Sequence, residues 1–247
     1  MTATLPRELT EARVREALGT VVDPELDEPI TDLGFVRSVA VDGSAVEVHL
    51  RLPTSFCAPN FAWLMVSDAR DAVVGVPGAG RVVVELDDHH DSDLINAGLA
   101  ADAGYRGTFG HEAEESLDEL RLTFQRKAHT AAMERALMAL LRARLRDVDD
   151  LPRIRLGDLP PGPSTDALLA RRADIGLSTD SGDPVLVDDD GAPIAADQAP
   201  LRLRRATSVR ISMEGNSHFC RGLLATRYAD GDAGGITTII TNTRSAS

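Results

Sequence analysis

Apolar and polar residues alternate most regularly in the first third of the chain. Apolar residues recur there at helical spacing in two segments, while three shorter segments alternate with the period of a strand. Asp42-Gly43 lies between two of these strands and is typical of a hairpin turn, and Pro77-Gly78 interrupts the chain before the last one. The pattern predicts a helix over residues 7–20, strands over 36–41 and 45–52, a helix over 60–74 and a strand over 81–86.

The rest of the chain has a weaker pattern. A glycine-rich segment leads into one long helix predicted over residues 112–146. Four prolines in residues 151–164 predict a connector outside the core. Val209–Met213 and Phe219–Arg227 are predicted as late strands, and the tail from Ala229 as flexible.

These elements predict an α+β fold. A small helix-strand-strand-helix-strand sandwich is followed by a long helix and a mixed α/β C-terminal region. The predicted domains are an α+β domain over residues 1–93, the glycine-rich connector and long helix over 94–150, and a mixed region with a flexible tail over 151–247.

Composition restricts the classes of partner. The chain has 247 residues and a formal net charge of -13, which disfavours binding to nucleic acid or to an anionic membrane surface. No stretch approaches the roughly 20 apolar residues of a membrane helix. The two cysteines, with no apolar leader at the N-terminus, favour the reducing cytoplasm over a disulfide scaffold.

Cys57 is the first candidate for chemistry. It lies between a predicted strand and a predicted helix, where the positive end of the helix dipole favours the thiolate. A thiolate binds soft metals or attacks electrophiles. The alternative is a small buried hydrophobic residue, the usual place of a free cysteine.

The residues around Cys57 resemble a known family. Asp23-Pro24-Glu25, then Thr31-Asp32-Leu33-Gly34, then Thr54 and Cys57, are similar to the PaaD/SufT-type iron–sulfur cluster assembly domain, over about residues 7–90. The resemblance implies a compact α+β domain that helps to mature iron–sulfur proteins or metal-dependent oxygenases. It also implies that activity depends on Cys57, that the cargo is a transient iron–sulfur cluster or iron, and that the partner is a client metalloprotein.

A single thiolate cannot hold a cluster, because clusters generally take four cysteine ligands. A homodimer, an external thiol or other ligands in this chain would have to complete the site. His218 and Cys220 are two residues apart, and on a strand they would share a face. If Cys57 lies near them, the three form a soft metal site; otherwise Cys220 is a core cysteine beside a turn.

Several other polar residues are candidates. His89, His90 and Asp91 belong to an acidic loop whose imidazoles and carboxylates suit iron, manganese or zinc. Adjacent histidines often point apart, however, so a solvated loop is the alternative. The carboxylates Asp23, Glu25 and Asp32 are predicted to shape turns and cap backbone amides rather than to bind metal.

The sequence lacks the phosphate-binding, nucleophile-elbow and dinucleotide-binding motifs of common enzyme classes, so catalysis is not expected. The favoured function is an accessory protein that assembles or delivers an iron–sulfur cluster or iron through Cys57. One alternative is a chaperone-like maturation factor for a di-iron oxygenase that binds no cluster. The other is a metalloenzyme that uses His89 and His90.

Overall fold

A computed structural model of the chain describes residues 8–110 and 117–229. Its first part contains α1 (Glu11–Leu18), β1 (Val22–Asp23), β2 (Glu28–Pro29), β3 (Val36–Asp42), β4 (Ala45–Arg51), α2 (Pro59–Val74) and β5 (Val82–Asp87). The helices that follow are α3 (Ser92–Ala100), α4 (Gly104–Phe109), α5 (Leu117–Arg142), α6 (Pro163–Asp174) and α7 (Ala199–Arg227), with two 3-10 helices at Val148–Arg153 and Leu156–Asp158.

The three main strands form one sheet in the order β3-β4-β5. β3 and β4 are an antiparallel hairpin, turned at Gly43 with a φ of +60°, and β5 lies parallel to β4 through the crossover helix α2. Arg51 is paired with Asp87 at the end of the parallel pair. The loops that follow β4 and β5 therefore meet at the same edge of the sheet. The α+β class and the predicted order of the first elements are confirmed.

Two main hydrophobic cores organise the described residues. The first lies between the sheet and helices α1 and α2, with Leu18, Leu50 and Val66 fully buried. The second lies among α5, α6 and the segment after α5, with Met133 and Leu168 at its centre. Helix α7 contributes to both cores, so the C-terminal part of the chain packs back onto the N-terminal domain.

The prediction that residues 151–164 lie outside the core is wrong. Leu151 and Ile154 are buried in the second core, as are Leu156 and Leu159. A 3-10 helix has three residues per turn, so apolar residues three apart lie on one side of it. The prolines correctly indicated that no long helix forms here, but short turns still direct these side chains inward.

The two late strands predicted at Val209–Met213 and Phe219–Arg227 are also wrong, because both segments belong to helix α7. The local alternation of apolar and polar residues is overridden by a longer period. Ala199, Ala206, Met213 and Cys220 recur every seven residues, which places them on one helical face. The first three are buried.

The predicted long helix is observed as α5, while residues 112–116 of that prediction lie outside the described residues, as does the tail from residue 230. None of the helices in the two described ranges combines the length and the apolar character that crossing a membrane requires.

Candidate functional site

Cys57 lies in the loop between β4 and α2, two residues before the helix begins at Pro59. Its side chain is partly buried against the first core. The Thr54 hydroxyl lies 3.4 Å from the Cys57 Sγ atom and accepts a hydrogen bond from the Phe56 N–H at 3.2 Å. Because that N–H already donates to the oxygen, the hydroxyl proton is free to point at the sulfur. The Thr54 hydroxyl can therefore donate a hydrogen bond to the Cys57 sulfur.

His89 holds the Cys57 loop from the neighbouring strand end. The Asp91 N–H donates to its Nδ1 atom at 3.1 Å, so the proton resides on Nε2, which donates to the Cys57 carbonyl oxygen at 2.8 Å. The residue is buried, with 7% of its surface exposed. Both ring nitrogens are occupied by backbone groups, so neither is available to a metal in this arrangement.

The other histidine of the acidic loop points away. His90 is exposed, and its ring stacks on Phe56 with 5.8 Å between ring centroids. The His90 N–H donates to the Ser55 carbonyl at 2.9 Å. In residues 8–110 and 117–229, no three His, Cys, Asp or Glu side chains converge into a group that could hold a metal ion. The loop thus packs around the Cys57 segment and does not gather ligands of its own.

Helix α7 brings the second cysteine to the first. Cys57 and Cys220 line the same cavity of about 110 Å³, in the wall of the N-terminal domain. Its polar side chains, besides the two thiols, are those of Asp23 and Glu25. The remaining wall is largely apolar and includes Phe35, Leu52, Phe61 and Met65. We call this cavity the two-thiol pocket.

His218 does not join these thiols. It is exposed, whereas Cys220 is partly buried in the pocket wall. On a helix of 3.6 residues per turn, side chains two positions apart point to nearly opposite sides. The expectation that His218 and Cys220 share a face depended on the late strand and is wrong for that reason.

Asp23 is the buried carboxylate of the pocket. Its Oδ1 atom accepts the N–H groups of Glu25 and Leu26, both at 2.9 Å, and so closes the Asp-Pro-Glu turn. Burial raises the pKa of Asp23 to about 6; the two backbone hydrogen bonds oppose this rise, and the charges of Glu25 and Glu28 add to it. A carboxyl in this state exchanges a proton close to neutral pH.

The remaining two turn carboxylates have different surroundings. Glu25 accepts a hydrogen bond from the Asn216 side chain of α7 at 3.2 Å, which ties the turn to the helix. Asp32 is exposed and accepts a hydrogen bond from the Thr31 hydroxyl at 3.3 Å. Within the described ranges, neither side chain belongs to a group of His, Cys, Asp or Glu side chains that could hold a metal ion.

The thiol of Cys220 is held in its neutral form. Burial, which is the largest cause, and the nearby charges of Asp23, Cys57 and Glu25 together raise its pKa to about 11. Binding of a metal at this sulfur must therefore displace a proton, which makes the affinity depend on pH.

Polar contacts fasten the end of α7 over the pocket. Arg221 and Ser217 contact the Glu28 carboxylate, and the Arg227 guanidinium donates to the carbonyl oxygens of Leu52 and Asp88. Leu224 is buried in the first core beneath them. The helix therefore contacts the Asp-Pro-Glu turn and both loops at the sheet edge.

Sequence reasoning identified Cys57 and Cys220 separately but did not predict how α7 presents the second thiol. The signal was present in the seven-residue spacing that relates Cys220 to Met213 and Ala206. That spacing places the cysteine on the face that packs against the body of the protein.

Comparison with known proteins covers the part of the chain that carries Cys57. The family model described as "Iron-sulfur cluster assembly protein" matches residues 11–86. Proteins named "Iron-sulfur cluster carrier protein" match over 78 residues, 31% of this chain, at 45% identity in Mycobacterium tuberculosis and 35% in Mycobacterium leprae. The chain spans only 20% of the length of these relatives.

A shorter relative matches over nearly its whole length. An uncharacterized protein of Methanocaldococcus jannaschii is 33% identical over 89 residues, which are 36% of this chain and 92% of that protein. No solved structure matches the chain. The resemblance inferred from the motifs around Cys57 is confirmed. Through its N-terminal domain, the chain belongs to the iron-sulfur cluster assembly protein family.

Proposed function

We propose that this protein is an accessory factor in iron–sulfur cluster assembly or in the delivery of a cluster or iron to a client protein. Cys57 is the thiolate that contacts the cargo, and Cys220 is a second one. The observation that carries the proposal is that both cysteines of the chain line one cavity. The mycobacterial relatives that share the Cys57 domain are named iron-sulfur cluster carrier proteins, which supports the same role.

The chemistry of the pocket suits temporary binding. Thiolates are the ligands of iron–sulfur clusters, and a cluster generally takes four of them. One chain supplies two, so the remaining iron positions stay open to thiols from another molecule. The high pKa of Cys220 adds a proton that competes with iron for the sulfur. Both properties favour release of the cargo over permanent storage.

The partner in this proposal is a client metalloprotein. The C-terminal helices, which lie beyond the residues 11–86 that match the family, would select it. The net charge of -13 favours a basic surface on that client. The proposal includes no catalytic step, and the reducing cytoplasm is the compartment in which two free thiols would persist.

Anaerobic reconstitution with ferrous iron and sulfide tests the proposal. We expect iron and acid-labile sulfide to bind to the full chain, and binding to fall at least tenfold in Cys57→Ser. His218→Ala is the matched control, because it removes an exposed imidazole from the same helix as Cys220. Retention of the cluster in Cys57→Ser would refute the role of this thiol.

The same experiment separates the alternatives. A metal lost only on His89→Ala and His90→Ala would favour a metalloenzyme. If no metal binds under any condition while the chain still restores activity to a di-iron oxygenase, a maturation factor without bound cluster is the better description.

A further inference from the structure

We propose that two copies of this chain bind one iron–sulfur cluster between them, with Cys57 and Cys220 of each copy as its four thiolate ligands. The inference rests on the proposed function and names the source of the missing ligands. The occupant of the open side of the two-thiol pocket is thus a second copy of the chain.

One chain has too few thiols to complete the ligand set of a cluster. The whole sequence contains two cysteines, and both line the pocket. Clusters with cysteine ligation generally need four. Asp23 of the pocket accepts two backbone N–H groups at its Oδ1 atom, and no group of three His, Cys, Asp or Glu side chains that could hold a metal ion exists in the described ranges. Two thiolates must therefore come from another molecule.

Two exposed phenylalanines lie beside the thiols. Phe56 and Phe219 each precede a pocket cysteine, so each has its Cα about 3.8 Å from that of the cysteine. Their exposed fractions are 80% and 66%, which is unusual for phenylalanine. In a two-fold interface the same patch meets itself, so these four rings would be buried around the four thiols.

The charge of the chain limits the surfaces through which two copies can meet. Two chains with a net charge of -13 repel each other over most orientations. The exposed sequence neighbours of the two cysteines are Phe56, Ala58, Phe219 and Arg221, and the Arg221 guanidinium forms an ion pair with Glu28. These neighbours add no negative charge to that of Asp23 and Glu25 inside the pocket, so the surface around the thiols is less acidic than the chain as a whole.

Assembly from a cluster with small-molecule thiolate ligands is a balanced exchange. Each protein thiol forms a sulfur–iron bond as one external thiolate leaves, and the protein proton departs on that thiolate as a free thiol. Four exchanges release four thiols, with no change in the oxidation state of iron or sulfur. Reversal with the thiols of a client would release the cluster from the dimer.

Native mass spectrometry and light scattering of the anaerobically reconstituted full chain test the inference. We expect a dimer that contains one cluster per two chains. Cys57→Ser and Cys220→Ser should each abolish both the cluster and the cluster-dependent dimer. Phe56→Glu and Phe219→Glu should weaken the dimer at least tenfold and keep the circular dichroism spectrum of the parent. Ile211→Glu, at an exposed position of α7, is the control and should keep the dimer.

A cluster bound by a monomer, or a clustered dimer that survives Cys220→Ser, would overturn the inference and leave the proposed function standing. A cluster that forms only when a second, different protein contributes thiols would overturn it as well. Absence of any cluster under all conditions would overturn the proposed function itself.

Discussion

The Nε2 atom of His89 donates a hydrogen bond of 2.8 Å to the carbonyl oxygen of Cys57. This contact joins the loop after β5 to the loop after β4, and it fixes the backbone that carries the thiol. Part of the acidic loop that sequence analysis offered as a metal site therefore supports the neighbouring cysteine.

Replacement of His89 should loosen that loop. We expect His89→Ala to lower the free energy of unfolding by about 1–3 kcal/mol, because it leaves buried backbone groups without partners. His89→Gln keeps an N–H donor and should lose less. Urea unfolding measures the cost, and alkylation of Cys57 by iodoacetamide measures the exposure of the thiol. Equal stability of His89→Ala and the exposed-site control His218→Ala would contradict the role of the hydrogen bond.

Asp23 should make stability fall as the pH rises from about 4 to about 6. Its pKa is about 6 in the folded chain and 3.8 as its ordinary value, so the folded state holds the proton more tightly in this window. Ionisation above pH 6 therefore costs the fold up to about 3 kcal/mol. Asp23→Asn keeps the oxygen that caps the turn and removes this cost.

Urea unfolding of Asp23→Asn and the parent at pH 4 and pH 7 provides the measurement. The stability advantage of the variant should be larger at pH 7 than at pH 4. Asp32→Asn removes one negative charge from an exposed turn and is the matched control. Parallel pH profiles for Asp23→Asn and the parent would show that burial does not penalise this carboxylate.

Alkylation of Cys220 should be slow at pH 8 and accelerate toward pH 11. A thiol with a pKa of about 11 has roughly a thousandth of its population as thiolate at pH 8. Because the Asp23 charge contributes to this rise, Asp23→Asn should shift the rate profile to lower pH. Mass spectrometry of the Cys220 peptide follows the reaction, and Cys57→Ser provides a chain with this thiol alone. A profile centred near pH 8–9 would contradict the effect of burial.

The contact between Gly34 and Leu224 couples the second turn of the family motif, Thr31-Asp32-Leu33-Gly34, to the C-terminal helix. Gly34 has a φ of +77°, and a Cβ atom there would lie 3.2 Å from the Leu224 Cδ2 atom. We expect Gly34→Ala to cost about 1–2 kcal/mol from the backbone alone. Leu224→Ala should cost about 2–4 kcal/mol because its side chain is buried.

A double-mutant cycle tests the contact between these two residues. Gly34→Ala should cost less in the Leu224→Ala background, where the crowding methyl group is absent. Leu145→Ala, at a leucine that is 55% exposed, should be close to neutral. Strict additivity of the two substitutions would show that the turn and the helix do not press on each other.

The N-terminal domain was predictable because its signals are local. Asp42-Gly43 determines the hairpin, and the alternation of residues 45–52 matches a strand with one buried face. The turn at Asp23 follows from hydrogen bonds to residues two and three positions away. Such contacts can be inferred from neighbouring residues alone.

The second half of the site was not predictable in the same way. Cys220 faces Cys57 only because α7 is one helix that packs on both cores, and short alternating segments within it looked like strands. The role of His89 depends on the parallel pairing of β4 with β5, which brings two distant loops together. These are long-range contacts, which the spacing of residues along the sequence does not predict.

The distance along the chain between the two thiols has a consequence for synthesis. Cys57 is translated early, and the elements from α1 to β5 can pair with one another before α7 has been made. Cys220 reaches the pocket only after the intervening helices have been translated and α7 has docked. A nascent chain therefore presents one thiol, and the appearance of the second marks a protein whose two cores are both in place.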